Sequence, residues 1–348
     1  MQIDFHHATT YVTARIAGFP HDQAVIIAYA AQYVDDSTTS GTVVFDNGAM
    51  YTRISSAHRT TDPENLRNTE NLEVWLPFHF LPGNSGLKAG EDLKGENFIE
   101  KIICRPGTMS PVAEEMLKAA FDEQGKSHDL HRLGITMHTY ADTWAHQGFA
   151  GVLHPVNEVE DIEDTGHSGQ FTSEWVNHFL EDMVPALGHG RAQVFPDMPF
   201  LSWKYHNARK EAISRNNTDV FCEAADEMCK AMQRYLQKSD NGIPAADQDK
   251  IRALFTSVRI KDENQRHKEW LGAIAAGSFS FGPATISYAA NGSQSWKAEA
   301  LGYSFDLPVH GYKPEFLESN WKRFHDALQR HRLTLLHEVL PNYGICAG

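Results

Sequence analysis

Cysteine is scarce in this sequence and forms no motif. Only four occur in 348 residues (Cys104, Cys222, Cys229 and Cys346), and none sits in a C-x2-C pair. This composition argues against a zinc-thiolate site and a disulfide scaffold, and it points to a reducing, cytoplasmic setting. Long hydrophobic runs are also lacking. No apolar stretch reaches about 18 residues, so no membrane span is expected. The opening MQIDFHHATT has neither a basic n-region nor an apolar h-region, so it does not read as a secretory signal. Positive charge is in short supply, with 31 Lys and Arg against 45 Asp and Glu, a net charge of −14. A surface of that sign disfavours a protein that grips long nucleic acid, although it leaves room for a small phosphate ester as substrate. Strand signals are sparse, and there is no internal repeat or low-complexity run.

Histidine is plentiful, at 19 residues. Its arrangement is most informative between Leu130 and Gly151, LHRLGITMHTYADTWAHQGFAG. His138, Asp142 and His146 follow an H-x3-D-x3-H spacing. Residues four apart on a helix lie about 40° and one turn from each other, so the three share one face. Leu133, Ile135, Met137, Tyr140, Ala141, Trp144, Ala145 and Phe149 make the same helix otherwise apolar. A polar stripe in such surroundings needs partners. Imidazole, carboxylate and imidazole in a row can serve two metal ions, with the carboxylate bridging.

Periodicity and capping signals predict a mainly α protein in which long irregular loops bridge helices. Helices are expected over 5–18, 21–36, 111–124, 128–148, 171–187, 199–215, 217–238, 247–260, 262–276 and 314–340. Residues 37–110 read as irregular, with a hairpin turning at Asn47 and Gly48 and an apolar segment broken by Pro77 and Pro82. Residues 154–170 read as an acidic loop. The chain reads as one domain, 1–348, in which 240–348 could be a C-terminal extension.

Four groups could converge in a helical bundle. They are His6 and His7; Asp35 and Asp36 with His58 beyond; His138, Asp142 and His146; and His189 with Asp197. Carboxylates at the end of the second helix oppose its dipole and call for a nearby cation. Imidazole with carboxylate suits zinc. His79, between two Phe, reads more readily as a core histidine than as a pocket residue. Glu174, His178 and Asp182 repeat the four-residue spacing and stand in reserve. His325, His331 and His337 read as surface residues.

The run HTYADTWAHQGFAG, preceded by LG and followed by GHG and PD, resembles the zinc-dependent phospholipase C family and its relatives, the single-strand-specific zinc nucleases. DFHHATTY and AAQYVDD resemble an uncharacterised bacterial branch with that fold. The resemblance covers residues 4–200. It implies a multi-helix bundle of the phospholipase C type holding two or three zinc ions. By position, His138 and Asp142 would bind one zinc with Asp36 and His58. His146 and His189 would bind a second, and His6 would reach a third through Asp142. The sequence departs from the family in two places. It starts MQIDF where the phospholipases have a Trp whose amino group is a ligand, and Glu174 and His178 stand in the reverse order of the family's H-x3-E pair.

The expected function is therefore a zinc-dependent hydrolase, a phosphoesterase acting on a small molecule. Asp36 or Asp197 would orient or deprotonate the attacking water. Arg53, which with Arg59 flanks His58, would neutralise phosphoryl charge. Two alternatives remain open: a zinc amide or ester hydrolase, and a non-catalytic metal- or ligand-binding protein on the same fold.

Overall fold

The computed structural model describes residues 1–58, 68–91, 98–166 and 187–346. The protein is mainly helical, with two small sheets among the described residues. Helix α1 (Thr10–Ala17) follows a π-helical turn over Asp4–Thr9 and stops at Gly18, whose φ of +111° a side chain would resist. Helix α2 spans His21–Asp36. The expected hairpin is present as β1 (Gly41–Val44) and β2 (Met50–Arg53), with Val44 opposite Met50 and Gly48 at positive φ in the turn.

The stretch expected to be irregular contains two helices, α3 (Asn68–Phe78) and the short α4 (Phe98–Ile102). Pro77 suggested a break, but it sits in the last turn of α3. There its steric cost is confined to the helix end, and Thr139 donates its hydroxyl to the Phe78 carbonyl at 3.0 Å. Helix α5 (Pro111–Phe121) opens as the sequence predicts. The Ser110 hydroxyl accepts from the Ala113 amide, and proline takes the first helical position.

Helix α6 (Asp129–Ala145) is the axis of the fold. It packs against α2, α5, α7 (Asn217–Tyr235) and α11 (Asn320–Leu333). Every residue from His131 to Ala145 is buried. Gly134 lets α2 approach closely. A Cβ there would lie 2.4 Å from the Ile27 carbonyl oxygen.

Two other expectations are corrected. Residues 199–215 form a hairpin and not a helix, with β4 (Ser202–Asn207) pairing with β5 (Ala212–Asn216). The period-two signal is present, since Trp203 and Tyr205 face inward and Lys204 outward. The acidic stretch supplies β3 (Val159–Asp164), which completes a β3–β4–β5 antiparallel sheet. The helix expected over 171–187 lies almost wholly outside the described residues, as do Arg59, Glu174, His178 and Asp182.

Helices α8 (Ala245–Ser257), α9 (Glu263–Ala275) and α10 (Trp296–Leu301) complete the helical order. Ile251, Phe255, Trp270 and Ile274 enter the same apolar cluster as Phe5, Met137 and Trp144. Residues beyond 240 thus pack into the core that surrounds α6.

Candidate metal centre

Helix α6 delivers His138 and Asp142 one turn apart, and its C-terminal residue boundary delivers His146. The chain then turns at Gly148, with φ of +87°, and Phe149 folds back. Helix α2 ends with Asp35 pointing at the same place. The segment after α3 brings His79, and the loop 187–201 brings His189 and Asp197. The π-helical turn brings His6.

Among the described residues, three groups result: His6, Asp35 and His138; His79, His138 and Asp142; His146, His189 and Asp197. The ligand atoms of each group lie within 4.8 Å of one another. His138 belongs to two groups. Asp142 reaches beyond its own group, with Oδ2 at 3.2 Å from His138 Nε2 and 3.7 Å from His146 Nδ1, and Oδ1 at 3.2 Å from His6 Nε2.

Backbone carbonyls set the histidine tautomers. His79 Nε2 donates to the Ser56 oxygen at 2.9 Å, His138 Nδ1 to Ala31 at 2.8 Å, His146 Nδ1 to His79 at 2.7 Å, and His189 Nδ1 to Gln193 at 2.8 Å. A carbonyl can only accept, so each of these nitrogens carries a ring proton, and in a neutral ring the opposite nitrogen is the one with a lone pair. Those lone pairs converge on carboxylates. His79 Nδ1 and His138 Nε2 lie 3.2 Å apart and face Asp142 Oδ2 at 3.3 and 3.2 Å. His146 Nε2 and His189 Nε2 face Asp197 at 3.9 and 3.6 Å. Between these rings and carboxylates acceptor faces acceptor, an arrangement that a cation turns from repulsive to attractive; the Met1 ammonium is one such cation, 2.8 Å from Asp142 Oδ1. His6 is fully buried and stacked on His138; its Nε2 faces Asp142 Oδ1, and its Nδ1 has no hydrogen-bond partner among the described residues.

Electrostatics fit the same reading. Burial pushes His138 down to about 4 and His146 to about 3, so both imidazoles are neutral, as ligation requires. Burial alone would raise Asp142, but His146, the Met1 amino group, His138 and His6 outweigh it and hold it well below the usual carboxylate range. Burial and the neighbouring Asp142 push Asp35 well up. The Met1 amino group lies 2.8 Å from Asp142 Oδ1 and 3.3 Å from Asp197 Oδ1. Burial alone would lower it, yet Asp142, Asp197 and Asp35 bring it up to about 11. A cavity of about 410 Å³ is lined by Gln2 and Met198, the sequence neighbours of Met1 and Asp197, and by Val194 and Glu263 among others.

Several expected site residues lie elsewhere. Asp36 is exposed and accepts from Gln32 at 3.2 Å and from the Tyr288 hydroxyl, while its neighbour Asp35 turns inward. Arg53 is held by Asp306 through two hydrogen bonds, at 2.8 and 2.9 Å. His58 lies edge-on to Trp75 and is in none of the three groups. His7 pairs with His267 at 2.8 Å. His325 and His331 are buried and not surface residues: α11 lies in a groove and turns the Trp321, Phe324, His325, Leu328 and His331 stripe inward. His337 is exposed.

His79 is the ligand candidate that the sequence reading set aside. It is buried, as a core histidine would be, but its Nδ1 faces Asp142. The signal was a histidine in a Pro-bounded apolar run, and nothing local distinguished its two roles.

A model of one protein family matches residues 1–339. The chain belongs to DUF6765. That family is described as one of unknown function, so membership carries no activity with it. No curated protein and no solved structure matches the chain. Among the described residues, no helix is long and apolar enough to cross a membrane.

Proposed function

We propose that this member of DUF6765 is a zinc-dependent hydrolase that cleaves a small phosphate ester at a centre of two or three metal ions. The observation that carries the reading is the convergence of carbonyl-oriented imidazole lone pairs on Asp142 and Asp197. His79, His138 and Asp142 would hold one ion, and His146, His189 and Asp197 another. His6 and Asp35 would hold a third with His138. In this reading Asp35 takes the ligand role expected of Asp36, and Asp197 is a ligand before it is a base.

Bound zinc would supply a water acidic enough to attack at neutral pH and would neutralise charge growing on phosphoryl oxygens. The chain's own contribution is orientation. Ser56, Ala31, His79 and Gln193 carbonyls fix the rings, and the apolar surroundings of α6 keep competing water out. The cavity lined by Gln2, Val194 and Met198 is where a substrate would sit. Three neighbouring groups linked by one histidine and one carboxylate favour a multinuclear centre, the kind suited to in-line displacement at phosphorus.

The test is metal content by mass spectrometry on protein purified without a metal-affinity column, followed by chromogenic phosphate and acyl esters. Two or three zinc per chain, with phosphate-ester hydrolysis lost on chelation and restored by zinc, is the expected result. Metal-free protein that takes up no zinc would overturn the reading. Acyl-ester hydrolysis alone would keep the centre and change the bond.

A further inference from the structure

A second cavity, of about 360 Å³, lies behind the turn that follows α6. Phe149 stands between it and the metal centre, lining the cavity while its ring centroid lies 6.2 Å from that of His189. The volume is within the range of small-molecule sites.

The charge of its wall is opposite to that of the protein. Two carboxylates line it, and each is already paired: Glu100 with Arg209, and Glu158 with Arg191 at 3.4 Å. Among the described residues, two guanidinium groups of the wall are matched by no carboxylate. Arg105 lines the cavity half-buried, and among the described residues it has no hydrogen bond or ion pair. Arg215 is 7% exposed and, among the described residues, donates to the Ala145 and Trp144 carbonyls, at 2.9 Å each. Its Nε is buried without a partner. Tyr205 lines the same space. A protein of net charge −14 here keeps two cationic forks around a partly open volume. Met109, Ile213 and Phe149 give the wall an apolar part, beside the polar Ser85, Gln147, Asn207 and Ser214.

We propose that this cavity is a binding site, separate from the metal centre, for a small organic anion: a phosphate, phosphonate or carboxylate head on an apolar body. The head would pair with Arg105, whose planar fork matches such groups bidentately. The body would lie against Phe149 and Ile213. Arg215 ties the site to the last carbonyls of α6, next to His146.

The experiment is calorimetric titration of the full chain with phenylphosphonate, benzoate and uncharged benzyl alcohol. Phenylphosphonate is not a hydrolysable ester, so turnover does not interfere. Each titration is run on wild type, Arg105→Ala and His189→Ala. Arg105 lies at the cavity wall, its stem packs on Gly83, and among the described residues it makes no hydrogen bond or ion pair that alanine would break; circular dichroism checks the fold. Saturable binding of phenylphosphonate or benzoate, weakened about tenfold or more by Arg105→Ala, unchanged by His189→Ala and about tenfold tighter than benzyl alcohol, is expected. Binding lost in His189→Ala but kept in Arg105→Ala would place the anion at the metals and overturn the proposal. No saturable binding by either anion would also overturn it. The outcome is independent of whether the protein hydrolyses phosphate esters.

Discussion

At the scale of single residues, neighbours in sequence have opposite fates. Asp35 and Asp36 are both acidic and both end α2, but the helical rotation of about 100° per residue sends one inward and the other to solvent. Asp35 joins His6 and His138, and Asp36 meets Tyr288. Asp35→Asn should therefore lower bound zinc, while Asp36→Asn should leave the metal content of purified protein unchanged. Equal loss in both variants would show that the third group is wrongly assigned. The four-residue stripe of α6 was readable because helical spacing alone places His138 and Asp142 together. His79 was not readable, because its role depends on Ser56 and Asp142, 23 and 63 positions away.

At the scale of elements, α6 is fixed by how closely its neighbours come. Gly134 has no room for a methyl group, since a Cβ would sit 2.4 Å from the Ile27 oxygen and 2.7 Å from Ala30 Cβ. Alanine favours a helix over glycine by about 1 kcal/mol, but the backbone contact cannot move aside as a side chain would. Gly134→Ala is expected to destabilise the protein by about 1–3 kcal/mol, read as a drop in thermal midpoint, and to loosen metal binding because α2 carries Asp35. An unchanged midpoint would mean that α2 shifts freely. Helices with strong caps, such as α5 behind Ser110, were legible from local chemistry. The β4–β5 hairpin was not, because Lys204, Arg209, Lys210 and Glu211 make the segment as polar as a surface helix. Its partner, β3, lies some 40 positions earlier.

At the scale of the whole molecule, the candidate ligands come from α2, α6, the segment after α3, the π-helical turn and the 187–201 loop. An ion bound by all of them would tie those parts together. A ligand at a thousand times its dissociation constant stabilises by about 4 kcal/mol, so chelation should lower the unfolding midpoint by several degrees, and zinc should restore it. No change on chelation would contradict the metal reading.

Acid should weaken the same fold by a second route. Burial pushes His131 and His325 down to about 3. Below pH 6.5 the unfolded chain takes up protons that these native residues refuse. Stability is thus full above about 6.5 and falls as pH drops toward 3, by up to about 1.4 kcal/mol per pH unit for each residue. His325→Asn should flatten the dependence of midpoint on pH between 6 and 4.5; an unaltered slope would show that His325 titrates normally.

One apolar cluster holds described residues from both sides of position 240, including the stretch for which the sequence offered no motif. By itself, the sequence determined the helical class, most helix boundaries and the imidazole–carboxylate stripe on α6, because hydrophobic period, caps and four-residue spacing are local properties. Only the tertiary structure decided which carboxylate of α2 turns inward, that His79 faces Asp142, and that Arg53 is committed to Asp306. Those outcomes depend on carbonyls and charges brought together from distant parts of the chain, and no local pattern encodes which of them will meet.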